Sequence, residues 1–181
     1  GGLNMMSDYY EMFTQISHDD QGNILFPNED IHAMCMDAEG FIWAGSSVNG
    51  ISKIDPNTFK TERFTHGNSA STISSNNIRF LFRDSENTIW IGTSTGLNRY
   101  NQASNDFTYI NLNGQESNSV NAKGVNFIYE DSHLNLWICT NEGLINYNRE
   151  KNTHTTIKKS VKNGLFDNNI SCITEDQDGI Y

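Results

Sequence analysis

A chain of 181 residues, with 36% hydrophobic residues and 14 glycines, is long enough to fold as one domain around a real core. Its 12 basic residues stand against 22 acidic ones, and the resulting formal charge of -10 repels a phosphate backbone, so nucleic acid is excluded as the expected partner. The apolar runs are only a few residues long, far short of the ~20 that span a bilayer, so no membrane contact is expected from this segment itself.

Taken in chain order, the first predicted elements are two short strands in GLNMMSDYYEMFTQI, residues 2–16. This stretch lies in register with GLNRYNQASNDFTYI, residues 96–110, with Phe13 over Phe107 and Ile16 over Ile110. Residues 1–30 therefore read as part of a repeating unit. Three longer units follow, at 31–77, 78–124 and 125–169. Each begins with a strand that is apolar on both faces, as in IRFLF and VNFIY, and continues through a carboxylate turn such as DAEG or DSEN. A tryptophan strand comes next, as in TIWIGT, then a strand opened by glycine, as in GLNRY, and last a short strand such as ERF, FTYI or HTTI. Residues 170–181 supply ISCIT and DQDG, the first strand and turn of a further unit. Polar loops, HGNSASTISSNN, NLNGQESNSVNAKG and KKSVKNGLFDNN, lead from each fourth strand to the next first strand.

The spacing makes the repeat explicit. Trp43, Trp90 and Trp137 recur every 47 residues, and six residues before each stands Asp37, Asp84 or Asp131. Ile31, Ile78 and Val125 lie six residues before those aspartates, and Ile170 and Asp176 keep the same interval. Gly50, Gly96 and Gly143 are each followed by Ile or Leu, a place where backbone must turn through positive φ or approach a neighbour closely. A four-stranded unit of this length cannot bury its own faces, whereas radial stacking of such units buries both faces of every sheet. The predicted fold is all-β, a β-propeller segment of about four four-stranded blades, three complete and one split between the termini, with the tryptophans packed between blades. The split end pieces predict that two copies complete each other's blade.

IRFLFRDSENTIWIGTSTGLNRY, residues 78–100, resembles the repeat of the two-component regulator propeller family, and the likeness extends over essentially the whole chain. Departures are Ala44 after the first tryptophan, one residue inserted before Gly50, and Cys139 where Gly45 and Gly92 stand in the other units. The resemblance implies the periplasmic, extracytoplasmic sensor region of a membrane histidine kinase of the hybrid type, built of one or two propellers. It also implies a polysaccharide breakdown product as signal. The kinase, the membrane anchor and the later immunoglobulin-like module of such proteins have no counterpart in these residues.

In a propeller the loops from fourth to first strands and from second to third strands share one face. There the sequence gathers His18, His66, Asn68, Asn76, Asn77, Asn121, Lys123, Asn168 and Asn169. Amides and hydroxyls suit a neutral oligosaccharide because they donate and accept, although asparagine before a strand also serves turns. Cys35, Cys139 and Cys172 form no C-x-x-C and read as small buried hydrophobes, and no metal site or cofactor is indicated. DQDG at Asp176 lacks the twelfth-position glutamate of a calcium loop. His18, His32, His66, His133 and His154 fall at different repeat positions, and no serine elbow or repeated acid pair accompanies them, so no catalysis is expected of this segment. Three functions stand: a ligand-sensing propeller, a scaffold or dimerisation propeller without ligand, and a propeller lyase or hydrolase.

Overall fold

The structure, a computed structural model, describes residues 3–6, 13–26, 30–112, 124–161, 164–177 and 179–180. Every ladder is antiparallel, and no helix occurs among the described residues. Strands β1 (Leu3–Met6) and β2 (Phe13–Ile16) form a two-stranded sheet. Three four-stranded meanders follow. The first is β3 (Ile31–Met36), β4 (Ile42–Ser46), β5 (Ile51–Ile54) and β6 (Thr61–Phe64). The second is β7 (Ile78–Arg83), β8 (Ile89–Thr93), β9 (Gly96–Asn101) and β10 (Asp106–Ile110). The third is β11 (Val125–Glu130), β12 (Leu136–Thr140), β13 (Gly143–Asn148) and β14 (Thr153–Ile157). A two-residue hairpin of β15 (Glu175–Asp176) and β16 (Gly179–Ile180) ends the chain. The fold is that of propeller blades. β3 and β4 pack on β7, and β7 and β8 pack on β11, so the first strand of each sheet lies innermost.

The expected ISCIT strand, residues 170–174, lies outside the ladders, which resume only at Glu175. The segment nonetheless docks on the third blade. Ile170 N donates to Thr140 O, Asn126 Nδ2 donates to Ile170 O, and Glu175 accepts from Ser132 N and Oγ at 2.8 Å each. The last contact repeats the one between the second and third blades, where Ser85 N and Oγ donate to Glu130.

The repeat signature does two jobs in each blade. The aspartate arranges the turn with one oxygen and holds the tryptophan with the other. Asp37 Oδ1 accepts from Phe41 N and its Oδ2 from Trp43 Nε1, both at 2.8 Å. Asp84 does the same for Thr88 N and Trp90 Nε1, and Asp131 for Asn135 N and Trp137 Nε1. Thus pinned, each indole reaches the tyrosine on the third strand of the following blade: Trp43 meets Tyr100 edge-on at 4.6 Å, and Trp90 meets Tyr147 at 5.7 Å. Trp43 and Trp90 are fully buried in the clusters that join blade to blade. Trp137 lies against Cys139, Leu144 and Ile173 and is only half-buried. Gly50, Gly96 and Gly143 take φ of 76°, 152° and 135°.

Two other glycines set the distance between blades. A methyl group built on Gly45 would lie 2.8 Å from Cβ of Ile78, and one on Gly92 would lie 2.7 Å from Cγ1 of Val125. Both β-branched partners are fully buried. In the third blade Cys139 occupies the corresponding place, and its counterpart partner Ile170 is only partly buried. Residues 170–174 stay outside the ladders because a first strand pairs only with the second strand of its own unit, of which the described residues hold Gly179–Ile180 alone.

The cysteine expectation needs correction at one position. Cys139 is buried and Cys35 half-buried, and burial pushes each thiol up to about 12. Cys172 is exposed, because the run that carries it lacks a covering sheet. The first strands are also not apolar-covered throughout, since Met34 and Met36 on β3 are exposed.

One turn stores local strain. The left-handed position of the first-to-second strand turn is Gly40 (φ 89°), Asn87 (φ 65°) and, in the third blade, Leu134 (φ 64°). Leucine tolerates this region poorly, whereas asparagine adopts it readily. Leu134 is exposed and is used only through its backbone, its N–H donating to Asp131 O and its carbonyl accepting from Arg149. Leu134→Asn is expected to stabilise the fold by roughly 0.5–1 kcal/mol, seen as a higher urea midpoint with unchanged slope.

Candidate functional site

The loop face is built on the middle turn of the second and third meanders. The hydroxyls of Thr93 and Thr140 donate to the carbonyls of Gly96 and Gly143 across the second-to-third strand turn, and both side chains are fully buried. Above the second blade the loop of residues 65–77 is tied down by a polar cluster. Ser74 N donates to Asn98 Oδ1, Asn98 Nδ2 donates to Ser74 Oγ, and Ser74 Oγ shares a hydrogen bond with Thr93 Oγ1. Thr95 Oγ1 donates to Ser74 O at 2.9 Å. Asn98 is fully buried, so the loop is fixed from below and its outer surface is preorganised.

That surface forms a shallow cavity of about 310 Å³ lined by His66, Ser69, Thr72, Ser74, Thr95 and Tyr109, together with Ala70 and Ile73. His66 Nδ1 lies 2.8 Å from Ile73 O and therefore carries the proton in that bond, leaving Nε2 as an acceptor. The Tyr109 ring is 40% exposed and lies across Gly96, where a Cβ would come within 2.6 Å of Cε2. Burial of its remainder raises the Tyr109 pKa above the ordinary phenol value. Tyr109 breaks the repeat: cross-strand pairing places Arg63 and Thr156 at the same point of the other blades.

The candidate residues named from sequence do not converge on one pocket. His66 lines the cavity. Asn76 supports it from behind, its Oδ1 accepting from His66 N at 2.6 Å. Asn168 plays the identical part in the next loop, accepting from Lys159 N at 2.7 Å, so this pair serves the turn. Asn68 is exposed on the loop, and Asn77 uses its backbone, donating to Ser75 Oγ and accepting from Ser94 N. Asn169 Oδ1 accepts from Asn126 Nδ2 at 3.2 Å on the third blade. His18 lies in a separate bridge with Ile24 and contacts Ser17 Oγ. Asn121 and Lys123 lie outside the described residues.

Sequence reasoning missed a second row. In each blade the first strand is bulged after its first residue, between Ile31 and Ala33, Ile78 and Phe80, and Val125 and Phe127. The residue released from the ladder is His32, Arg79 or Asn126. A bulge re-aims a side chain, and here it does so at the loop-face end of the innermost strands. Arg79 Nη1 donates to Asn126 Oδ1 at 2.9 Å, which links two blades. The signal was present: a polar residue directly after the β-branched opening of an otherwise apolar run.

On the opposite face the charges are paired. Asp84 is bridged by Arg149 at 2.7 Å, and the same guanidinium reaches Glu130 at 2.7 Å. Lys53 lies 3.4 Å from Asp37 and stands over the rings of Phe41, Trp43 and Tyr100. Among the described residues Asp131 has no such cation within salt-bridge distance. Burial works to raise its pKa, but hydrogen bonds from Trp137, Asn135 and His133 prevail and hold it below the ordinary carboxylate range. No group of three or more metal-ligating side chains comes together among the described residues.

Residues 25–47 and 72–95 match the family described as two component regulator propeller. The corresponding part of the third unit, where Cys139 replaces the glycine, is not among the matched residues. No curated protein matches the chain significantly. Among solved structures, the chain is similar to the extracellular domain of BT4673 from B. thetaiotaomicron, described as a hybrid two component system, with TM-score 0.74 and 22% identity over 99% of this chain and 23% of that one. It is also similar to the extracellular domain of BT3049 from the same organism, with TM-score 0.72 and 24% identity over 86% of this chain and 22% of that one. Virginiamycin B lyase from Staphylococcus aureus gives TM-score 0.63 at 15% identity, over 88% of this chain and 50% of that one. The chain thus spans under a quarter of the length of the two extracellular domains. At these identities the likeness establishes the fold that all of them share.

Proposed function

We propose that this chain, which carries two component regulator propeller repeats, is part of the periplasmic ligand-sensing propeller of a sensor histidine kinase and that its ligand is a glycan breakdown product. The observation that carries the ligand reading is the loop-face cavity of about 310 Å³, where a half-exposed tyrosine ring stands beside the hydroxyls of Ser69, Thr72 and Thr95. A sugar offers a C–H face to stack on a ring and a belt of hydroxyls to hydrogen-bond, and the volume is that of a small-ligand site. The likeness to extracellular domains of two component systems supports the extracytoplasmic placement. No catalytic role is assigned to the chain itself. His66, the histidine of the cavity, gives its Nδ1 proton to a backbone carbonyl, and no carboxylate lines the cavity beside it.

Thermal melting of the chain against a panel of oligosaccharides is the test. A binding sugar raises the melting temperature in proportion to the logarithm of its concentration, by about 2.7 kcal/mol of stability at a hundred times Kd. Tyr109→Ala is expected to abolish that rise. A flat response across the panel removes the sensing reading in favour of a scaffold propeller.

A further inference from the structure

The seam between the second and third blades holds a cation that meets no carboxylate among the described residues. Among the described residues three basic side chains are partly buried: Lys53, Arg79 and Arg149. Lys53 is paired with Asp37, and Arg149 with Asp84 and Glu130. Among the described residues no carboxylate lies within salt-bridge distance of Arg79, in a chain of net charge -10. It donates instead to a neutral amide oxygen, Asn126 Oδ1, through one Nη1 hydrogen. A guanidinium that is partly desolvated and has no counter-ion beside it gains from an anion that arrives there.

The surroundings are arranged to present it. The β7 bulge lifts Arg79 out of the ladder, towards the rim of the innermost strands. Asn126 cannot flip away, because its Nδ2 is committed to Asn169 Oδ1 and to Ile170 O at 2.9 Å. Gly124 clears the space: a Cβ there would lie 2.7 Å from Arg79 Nη1. One edge of the fork is thus braced, and the remaining N–H groups keep the geometry that accepts an oxyanion in parallel pairs.

We propose that Arg79 binds an oxyanion on the saccharide ligand, a carboxylate or a sulfate, and that this site selects acidic sugars over neutral ones. The inference rests on the glycan-sensing reading and narrows it. It departs from the neutral sugar that the amides alone suggest, because a neutral ligand leaves the Arg79 charge uncompensated.

Titration calorimetry of the full chain with digalacturonate, a sulfated cellobiose and cellobiose itself tests the assignment and separates the two oxyanion sources. At least one charged disaccharide is expected to bind tenfold or more tightly than cellobiose, with an affinity that falls as salt rises. Arg79→Gln is expected to erase that preference. Asn126→Asp supplies an internal carboxylate to Arg79 and is expected to weaken charged-sugar binding tenfold while the protein stays folded, an effect that a purely structural Arg79 would not produce. Equal binding of all three sugars, or a preference that survives both variants, overturns the role of Arg79 and leaves the glycan reading standing. Binding of none of the three overturns both.

Discussion

Asp84→Ala is expected to be the most damaging single change in the chain, costing about 3–5 kcal/mol, because it takes one of two carboxylates from a half-buried guanidinium and leaves an indole N–H unpaired at once. Asp84 is 3% exposed and accepts from Trp90 Nε1, from Thr88 N and Glu86 N in its turn, and from Arg149 of the next blade. Removing it unties the turn, releases the tryptophan and leaves Arg149 with Glu130 as its carboxylate partner. Asp131→Ala is a natural comparison, since Asp131 has the same turn and indole bonds but no bridging guanidinium. Its cost is expected to be smaller by about 1–2 kcal/mol. Urea unfolding of the two variants measures the difference, and equal losses would show that the inter-blade charge contributes nothing.

The second large effect is steric. Gly92→Val is expected to destabilise the fold by about 3 kcal/mol through overpacking, because the added atoms meet Val125 inside a sealed contact. The space cannot be made by a flexible side chain moving aside, since Val125 is fully buried and stiff about its first torsion. The damage should be specific to the contact between second and third blades. Hydrogen exchange is therefore expected to rise in β11 and β8 before β3 and β4, and uniform exchange across all three blades would contradict the steric account.

The architecture was legible because its causes recur. Each blade must turn at its aspartate, hold its tryptophan and open its third strand with glycine, so the aspartates and tryptophans return every 47 positions and the glycines every 46 or 47. The inter-blade tyrosine contact, Trp90 with Tyr147, was legible only as the shared final letter of GLNRY and GLINY. The candidate site was far less visible. Asn76 and Asn168 were read as possible ligand contacts, but two loops use them identically to hold a backbone N–H, which marks them as construction. Tyr109 and Arg79 carry the opposite signature, since no other blade repeats them at their positions. In a repeat protein, what breaks the pattern on a shared face is the better guide to binding. The strand expected at 170–174 is not part of a ladder because its partner is the second strand of the same unit, of which the described residues hold only Gly179–Ile180.

The unequal burial of the three tryptophans has an optical consequence. Trp43 and Trp90 are sealed from solvent by the following blade, whereas Trp137 is partly open. A collisional quencher in solution therefore reaches one indole of three, and the quenchable share of the emission reports how well the outer face of the third blade is covered. Any partner that seats there extinguishes that share without a label, so the molecule carries its own gauge of docking.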